Sequence, residues 1–269
     1  MYEAHFGLSH RPFGETVDPA AYVALPSRDA VVRRLRYGLE HGQGPALLFG
    51  PPGSGKTIVA RVLAREIGGK AAHLAFPAMP TADLLAYLAE ELGAGSEPSR
   101  HLTVASSLRR VRECLSASTR RGEPTLLIVD EAHLIEDRAT FEILRALLNI
   151  ATFGPPDLML LLVGTPEVLL ELPPGLADRL TARCLLGPLA ESETNAYVNG
   201  RLASVGASSP LFTQEVLAFL WRAADGLPRR LNRLADMAML ITYAEGLPRP
   251  DLRSVSIAAR ELDPESIAA

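Results

Sequence analysis

Gly50-Pro51-Pro52-Gly53-Ser54-Gly55-Lys56-Thr57 stands between an apolar run and a helical pattern. The octet fits G-x-x-x-x-G-K-[ST], the phosphate-binding loop, and both flanks supply the context that pattern requires. Ahead of it, Pro45-Ala46-Leu47-Leu48-Phe49 reads as a short buried strand. Each residue type has a chemical reason. Glycines let the backbone curl so that its N–H groups point at phosphate oxygens, and the following helix adds its positive end. Lys56 places a charge on the β- and γ-phosphates, and Thr57 offers its hydroxyl to Mg²⁺. Of 27 basic residues only Lys56 and Lys70 are lysine, so a lysine inside this loop is informative. The competing reading is an ordinary Gly/Pro turn before a helix. The cofactors expected from the motif are ATP and Mg²⁺.

Working outward, strands and helices alternate. Val31, Leu35 and Leu39 recur at helical spacing from Arg28, and Gly42 closes that helix. The helix after the loop runs to about Gly68. Ala71–Phe76 reads as a second strand. Leu84, Leu85, Leu88 and Leu92 mark a helix that Thr81 can cap and Gly93 can stop. Residues 95–101 read as a polar loop, and Leu108, Val111 and Leu115 as another helix. Thr125–Val129 is a strongly apolar strand. Leu144, Leu147, Leu148 and Ala151 share one helix face, Leu158–Val163 is a long apolar run, and Arg183–Leu186 reads as the last strand. Such alternation predicts a parallel five-stranded sheet sandwiched by helices. Beyond Pro188 only helical patterns remain, at Val198–Val205, Val216–Ala223, Leu231–Ile241 and Pro250–Arg260. The chain therefore divides into an extended N-terminal arm (1–27, with Pro12, Pro19 and Pro26), an α/β domain (28–187) and an all-helical domain (188–269).

The chain has 269 residues, 48% hydrophobic and 22% charged, which suits a folded protein of one large and one small domain. No apolar run approaches the ~20 residues of a membrane span. The first residues lack a signal peptide's basic start and apolar core, so a cytoplasmic location is expected. A formal net charge of −4 argues against a surface built to coat nucleic acid. Cys114 and Cys184 lie far apart without metal-ligand spacing and read as core thiols.

Leu126-Leu127-Ile128-Val129-Asp130-Glu131-Ala132-His133 ends an apolar strand in two acids. Ligands of parallel sheets bind beyond the carboxyl ends of strands, where the loop at Gly50 and these acids can converge. Asp130 is then the candidate Mg²⁺ ligand, through the ion's water shell. Glu131 is the candidate base that orients and deprotonates the attacking water. A solvated acid pair is the alternative reading. The letters Asp-Glu-Ala-His also occur in helicases, but no other helicase motif is present, and His133 reads as structural or as a relay to a partner.

A further set of residues begins with Tyr2, Phe6-Gly7-Leu8, Pro12-Phe13 and Asp18-Pro19. Tyr37-Gly38-Leu39, Gly164-Thr165-Pro166-Glu167, Arg179-Leu180-Thr181-Ala182-Arg183 and Leu189–Tyr197 continue it. Leu211-Phe212-Thr213 and Gly226-Leu227-Pro228-Arg229-Arg230-Leu231-Asn232 close it. Through these residues, from residue 2 to about residue 262, the chain resembles the ExeA/GspA-type ATPases, the general secretion pathway protein A group within the AAA+ ATPases. Pro51-Pro52 departs from the acidic or small residue and valine common in the group; diproline is common in other AAA+ proteins. Many secretion-type members carry a membrane segment and a cell-wall-binding domain after the ATPase, and the resemblance here is to the ATPase. TniB-type transposition ATPases share this core and work on DNA.

The resemblance implies that residues 188–269 form a lid over the nucleotide. It implies that Thr165 is the sensor that contacts the γ-phosphate or the lytic water, the alternative being a strand-ending turn residue. Arg183, next to Cys184, is the implied arginine finger that acts on a neighbouring subunit, with Arg179 second; surface arginine is the alternative for both. A guanidinium suits phosphate oxygens because it bonds them bidentately. Arg229 is the implied second sensor, reaching the nucleotide from the lid. Arg33, Arg34 and Arg36 form a basic helix face, read as solvated or as a contact for the adenine region or a DNA backbone. The implied activity is hydrolysis of ATP to remodel or assemble a partner complex, from an ATP-dependent homo-oligomer, a hexameric ring by resemblance. An ATP-gated, DNA-binding assembly regulator is the alternative.

Overall fold

β-branched and leucine side chains in unbroken runs have no polar face to give to water, so a strand made of them must be covered on both sides. The computed structural model, which describes residues 1–42, 44–95, 103–148 and 158–262, shows this for the two central runs. β3 (Thr125–Val129) and β4 (Leu158–Gly164) are buried at every position. β1 (Ala46–Phe49), β2 (Lys70–Leu74) and β5 (Ala182–Leu185) complete a sheet of order β2-β3-β4-β1-β5. All four pairings are parallel, with Leu47 opposite Leu162 and Arg183, and Leu127 opposite Ala72 and Leu160. β4 is thus inserted between the strand that feeds the glycine loop and the strand that ends in Asp130. On one face Leu127, Val129, Leu160 and Leu162 pack with side chains of α4 (Thr81–Glu91), α5 (Val104–Arg120) and α6 (Arg138–Leu148). Their alternating neighbours Leu126, Ile128, Leu161 and Val163 are buried as well, so the opposite face is also covered.

The remaining helices of the described residues, in chain order, are α1 (Tyr2–His5), α2 (Pro26–His41), α3 (Lys56–Ile67), α7 (Val168–Glu171), α8 (Pro174–Ala177), α9 (Glu191–Ala203), α10 (Gln214–Ala223), α11 (Pro228–Ala244) and α12 (Leu252–Leu262). No helix among the described residues is long and apolar enough to cross a membrane.

The chain forms two compact units. Ala30–Pro51 and Val59–Leu186 make the sheet unit; Met1–Asp29, Pro52–Ile58 and Gly187–Ala269 make the helical unit. The opening segment, read from sequence as an arm, contributes Tyr2, Leu8, Phe13 and Leu25 to the core of the helical unit. Polar bonds fasten it there. Tyr2 and Arg11 both donate to Asp236 of α11, and the buried Arg201 of α9 donates to the carbonyls of Pro12 (2.8 Å) and Gly14 (3.1 Å). These two carbonyls lie in a turn and an irregular stretch, outside helix and sheet, and Arg201 supplies their donors.

Some local expectations shift. β2 ends at Leu74, paired with Val129, and Phe76 is 58% exposed beyond the last ladder bond. Thr81 does not cap α4; Pro80 holds the cap position, and the Thr81 hydroxyl bonds the Thr140 hydroxyl at 2.8 Å instead. β5 spans Ala182–Leu185, one residue earlier than the sequence pattern placed it, because the edge ladder with β1 begins at Ala182. Most of the polar loop at 95–101, and Ala151, lie outside the described residues.

Candidate functional site

Gly50 leaves β1 with its N–H donating to the carbonyl of Gly164 at the end of β4, 3.2 Å away. The loop therefore starts tied to the neighbouring strand. Farther along, Gly53 (φ 79°) and Gly55 (φ 95°) occupy backbone conformations that any Cβ would strain. Gly53 has a second reason to be glycine: a Cβ there would sit 3.0 Å from the Cβ of Arg229. The Arg229 N–H, in the first turn of α11, donates to the Gly53 carbonyl at 3.2 Å, inside the helical unit. The exposed Arg229 side chain thus leaves α11 beside the loop tip. Pro228 opens α11 because the first turn needs no N–H from it. Ser54 is 1% exposed, and its hydroxyl has no hydrogen-bond partner. A buried hydroxyl left so costs on the order of 1–3 kcal/mol, which a bound phosphate oxygen would offset. Lys56 is also buried, at the head of α3. Paired left-handed glycines, an orphan hydroxyl and a buried ammonium at a helix start fit a phosphate chain.

At the end of β3 the two acids differ. Asp130 is 4% exposed, and its N–H donates to the Leu74 carbonyl at 2.9 Å, extending the β2–β3 ladder. Its Oδ1 accepts the Glu131 N–H at 3.0 Å. Its Oδ2 lies 3.4 Å from Nε2 of His73, but that nitrogen makes no hydrogen bond, so the pair is close without directed bonding. Glu131 itself is left-handed, at φ 50° and ψ 39°. For a residue with a Cβ that costs roughly 1–2 kcal/mol, and such strain clusters at functional positions. A single turn of tight helix, Ala132–Leu134, follows at once.

His133 in that turn joins both sides of the edge. Its Nδ1 accepts the Thr165 N–H at 3.4 Å and lies 3.5 Å from Oε2 of Glu131. Gly164 makes room for it: a Cβ there would come within 3.3 Å of Nδ1. The Thr165 hydroxyl is buried and makes no hydrogen bond. A buried carboxylate, a second carboxylate on a turn and an unsatisfied hydroxyl at one sheet edge fit a hydrated divalent cation and a water.

Arg183 is exposed on the edge strand, and its guanidinium donates to the Ala177 carbonyl at 2.6 Å. Arg179 is half-buried and its carbonyl abuts Gly44, where a Cβ would not fit. Arg33, Arg34 and Arg36 are all exposed on α2, but Arg36 is bonded to Glu40 at 2.8 Å and lies 4.0 Å from Glu66. Sequence reading overlooked His73, whose signal was a lone polar residue inside Ala71-Ala72-His73-Leu74. It also missed Gly164 as the notch for His133, which no spacing announces.

A parallel sheet in this order, a glycine loop after β1, acids after β3 and a helical unit define the class: a AAA+ P-loop ATPase. A family model described as an AAA domain matches residues 39–171. The chain is 34% identical to general secretion pathway protein A of Aeromonas hydrophila over 97% of this chain and 48% of that protein. Over nearly its whole length it is similar to this ExeA/GspA-type AAA+ ATPase, and it spans about half the length of that relative. Among solved structures, Aeropyrum pernix ORC2 in ADPNP–ADP complexes superposes with a TM-score of 0.74 at 17% identity, covering 97% of this chain and 74% of that one. Cdc6p from Pyrobaculum aerophilum gives 0.74 at 18% identity, covering 93% and 70%. At these identities the likeness is one of fold.

Proposed function

We propose that the protein binds ATP with Mg²⁺ and hydrolyses the β–γ bond by in-line attack of water, using the cycle to assemble or remodel a partner protein complex of a secretion or cell-envelope system. The observation that supports this most directly is the loop Gly50–Thr57, with Gly53 and Gly55 left-handed and the Ser54 hydroxyl buried without a partner. In this reading residues 28–187 are the ATPase domain and 188–269 its lid. Pro51 and Pro52 stiffen the loop by fixing φ. The N–H groups of Gly53, Ser54, Gly55 and the start of α3 bind phosphate oxygens, and Lys56 neutralises the β- and γ-phosphates. Thr57 and Asp130 hold the metal. Mg²⁺ supplies charge neutralisation and a fixed template for the phosphate oxygens. Glu131 orients the water and takes its proton, Thr165 bonds the γ-phosphate or that water, and Arg229 meets the nucleotide from the lid.

Glu131→Gln tests the reading, since it keeps size and removes the base. The expected variant binds ATP normally, loses turnover by about 10²–10⁴-fold, and accumulates as an ATP-bound oligomer. Undiminished hydrolysis in a phosphate-release assay would remove Glu131 from this role.

A further inference from the structure

The Glu131 carboxylate has an odd setting. Its backbone is pinned on both sides: the N–H goes to Asp130 Oδ1 at 3.0 Å, and the carbonyl accepts the Leu134 N–H at 2.8 Å. The side chain is 43% exposed, and His133 stands against it at 3.5 Å. A backbone N–H can only donate, so Nδ1 of His133 accepts from Thr165, and the neutral ring carries its proton on Nε2. The nitrogen that faces Glu131 is therefore an acceptor facing an acceptor. It does not capture the carboxylate; it fends it off. It also occupies the Thr165 N–H. Gly164 lets the ring sit close, since a Cβ there would stand 3.3 Å from Nδ1 and 3.5 Å from the His133 backbone nitrogen.

We infer that His133 is a positioning residue: by taking the Thr165 N–H on Nδ1, it keeps the Glu131 carboxylate turned out toward the attacking water and couples that carboxylate to the sensor strand β4. The inference rests on Glu131 being the base. It predicts that the position of the acceptor atom matters, not the bulk of the ring. The substitution His133→Asn can place an amide oxygen where Nδ1 stands, whereas His133→Gln places its amide one bond farther, near Nε2.

The experiment is steady-state ATP hydrolysis and ATP-binding titration on the full chain with His133→Asn, His133→Gln and Glu131→Gln. His133→Gln should lower kcat by about 10²-fold, the size of a misplacement near 1 Å, with ATP affinity unchanged. His133→Asn should recover most of the wild-type kcat. Equal loss in the two His133 variants overturns the acceptor role. Wild-type kcat in His133→Gln with a dead Glu131→Gln overturns the inference alone, and an active Glu131→Gln overturns both it and the assignment of the base. Should His133→Gln fail to fold, Gly164→Ala serves in its place, because its Cβ displaces Nδ1. Lowered kcat at unchanged ATP affinity supports the inference, and wild-type kcat overturns it.

Discussion

Lys56 is one of two lysines in the chain, it is 6% exposed, and it stands at the first position of α3. Taking its charge out of water is costly, and in the proposed site a phosphate chain would offset that cost. Its charge-assisted bonds to phosphate are worth about 1.5–3 kcal/mol, so Lys56→Ala should weaken ATP binding by about 10- to 100-fold. Titration with a fluorescent ATP analogue measures this, and wild-type affinity would sink the phosphate-site assignment. The glycine loop and the acid pair were legible because each motif is contiguous and its chemistry depends on residue type. The left-handed backbone of Glu131 was not legible. Nothing in Asp-Glu-Ala-His announces φ 50°, which is set by the bonds of Asp130 and Leu134 on either side.

At the scale of elements, hydrophobic period found β3, β4 and the helices of residues 188–262, since these runs are long and their apolar positions are buried. Ends were less legible. Thr81 looked like a cap and became part of a bond to Thr140, because a partner hydroxyl from another helix outcompeted the local amide. The last strand moved by one residue, since its ladder with β1 begins at Ala182. Gly226 shows what joins elements. It follows α10 at φ 65°, its carbonyl accepts the Leu189 N–H at 2.8 Å, and a Cβ would fall 2.4 Å from the Leu189 carbonyl oxygen. Gly226→Ala should therefore destabilise the helical unit by on the order of 1–3 kcal/mol. Urea unfolding followed by circular dichroism would read it; an unshifted midpoint would mean that the turn relaxes freely.

At the scale of the whole molecule, the open proposal is assembly. Arg183 is exposed on an edge strand and bonds a carbonyl, not a carboxylate, so its charge is not neutralised by that contact. A finger acting on the next subunit requires a head-to-tail contact, which closes into a ring or continues as a helix. ATP held at such a contact should favour the oligomer by mass action. Arg183→Ala should leave ATP affinity near wild type and cut turnover by roughly 10³-fold or more. Mixing it with Glu131→Gln subunits is the sharper measurement. Each variant alone should be inactive, and activity should return in mixed assemblies where an intact Glu131 meets an intact Arg183. With subunit exchange verified and no activity regained, Arg179 becomes the candidate.

By itself the sequence determined the parts whose information is local: a strand, a glycine loop with Lys56 and Thr57, a helix after it, an apolar strand ending in Asp130 and Glu131, and a helical C-terminal region. Period and residue type report burial and chemistry along the chain. They do not report which buried face meets which. Only the tertiary structure decided that β4 stands between β1 and β3, bringing Thr165 and Gly164 against His133. It also decided that Tyr2, Leu8 and Phe13 join the helical core, and that Arg229 lies on Gly53. The physical reason is the same in each case. Hydrophobic burial is non-directional, so it requires a partner without naming one, and the partner is chosen by parallel pairing and close packing across distant segments.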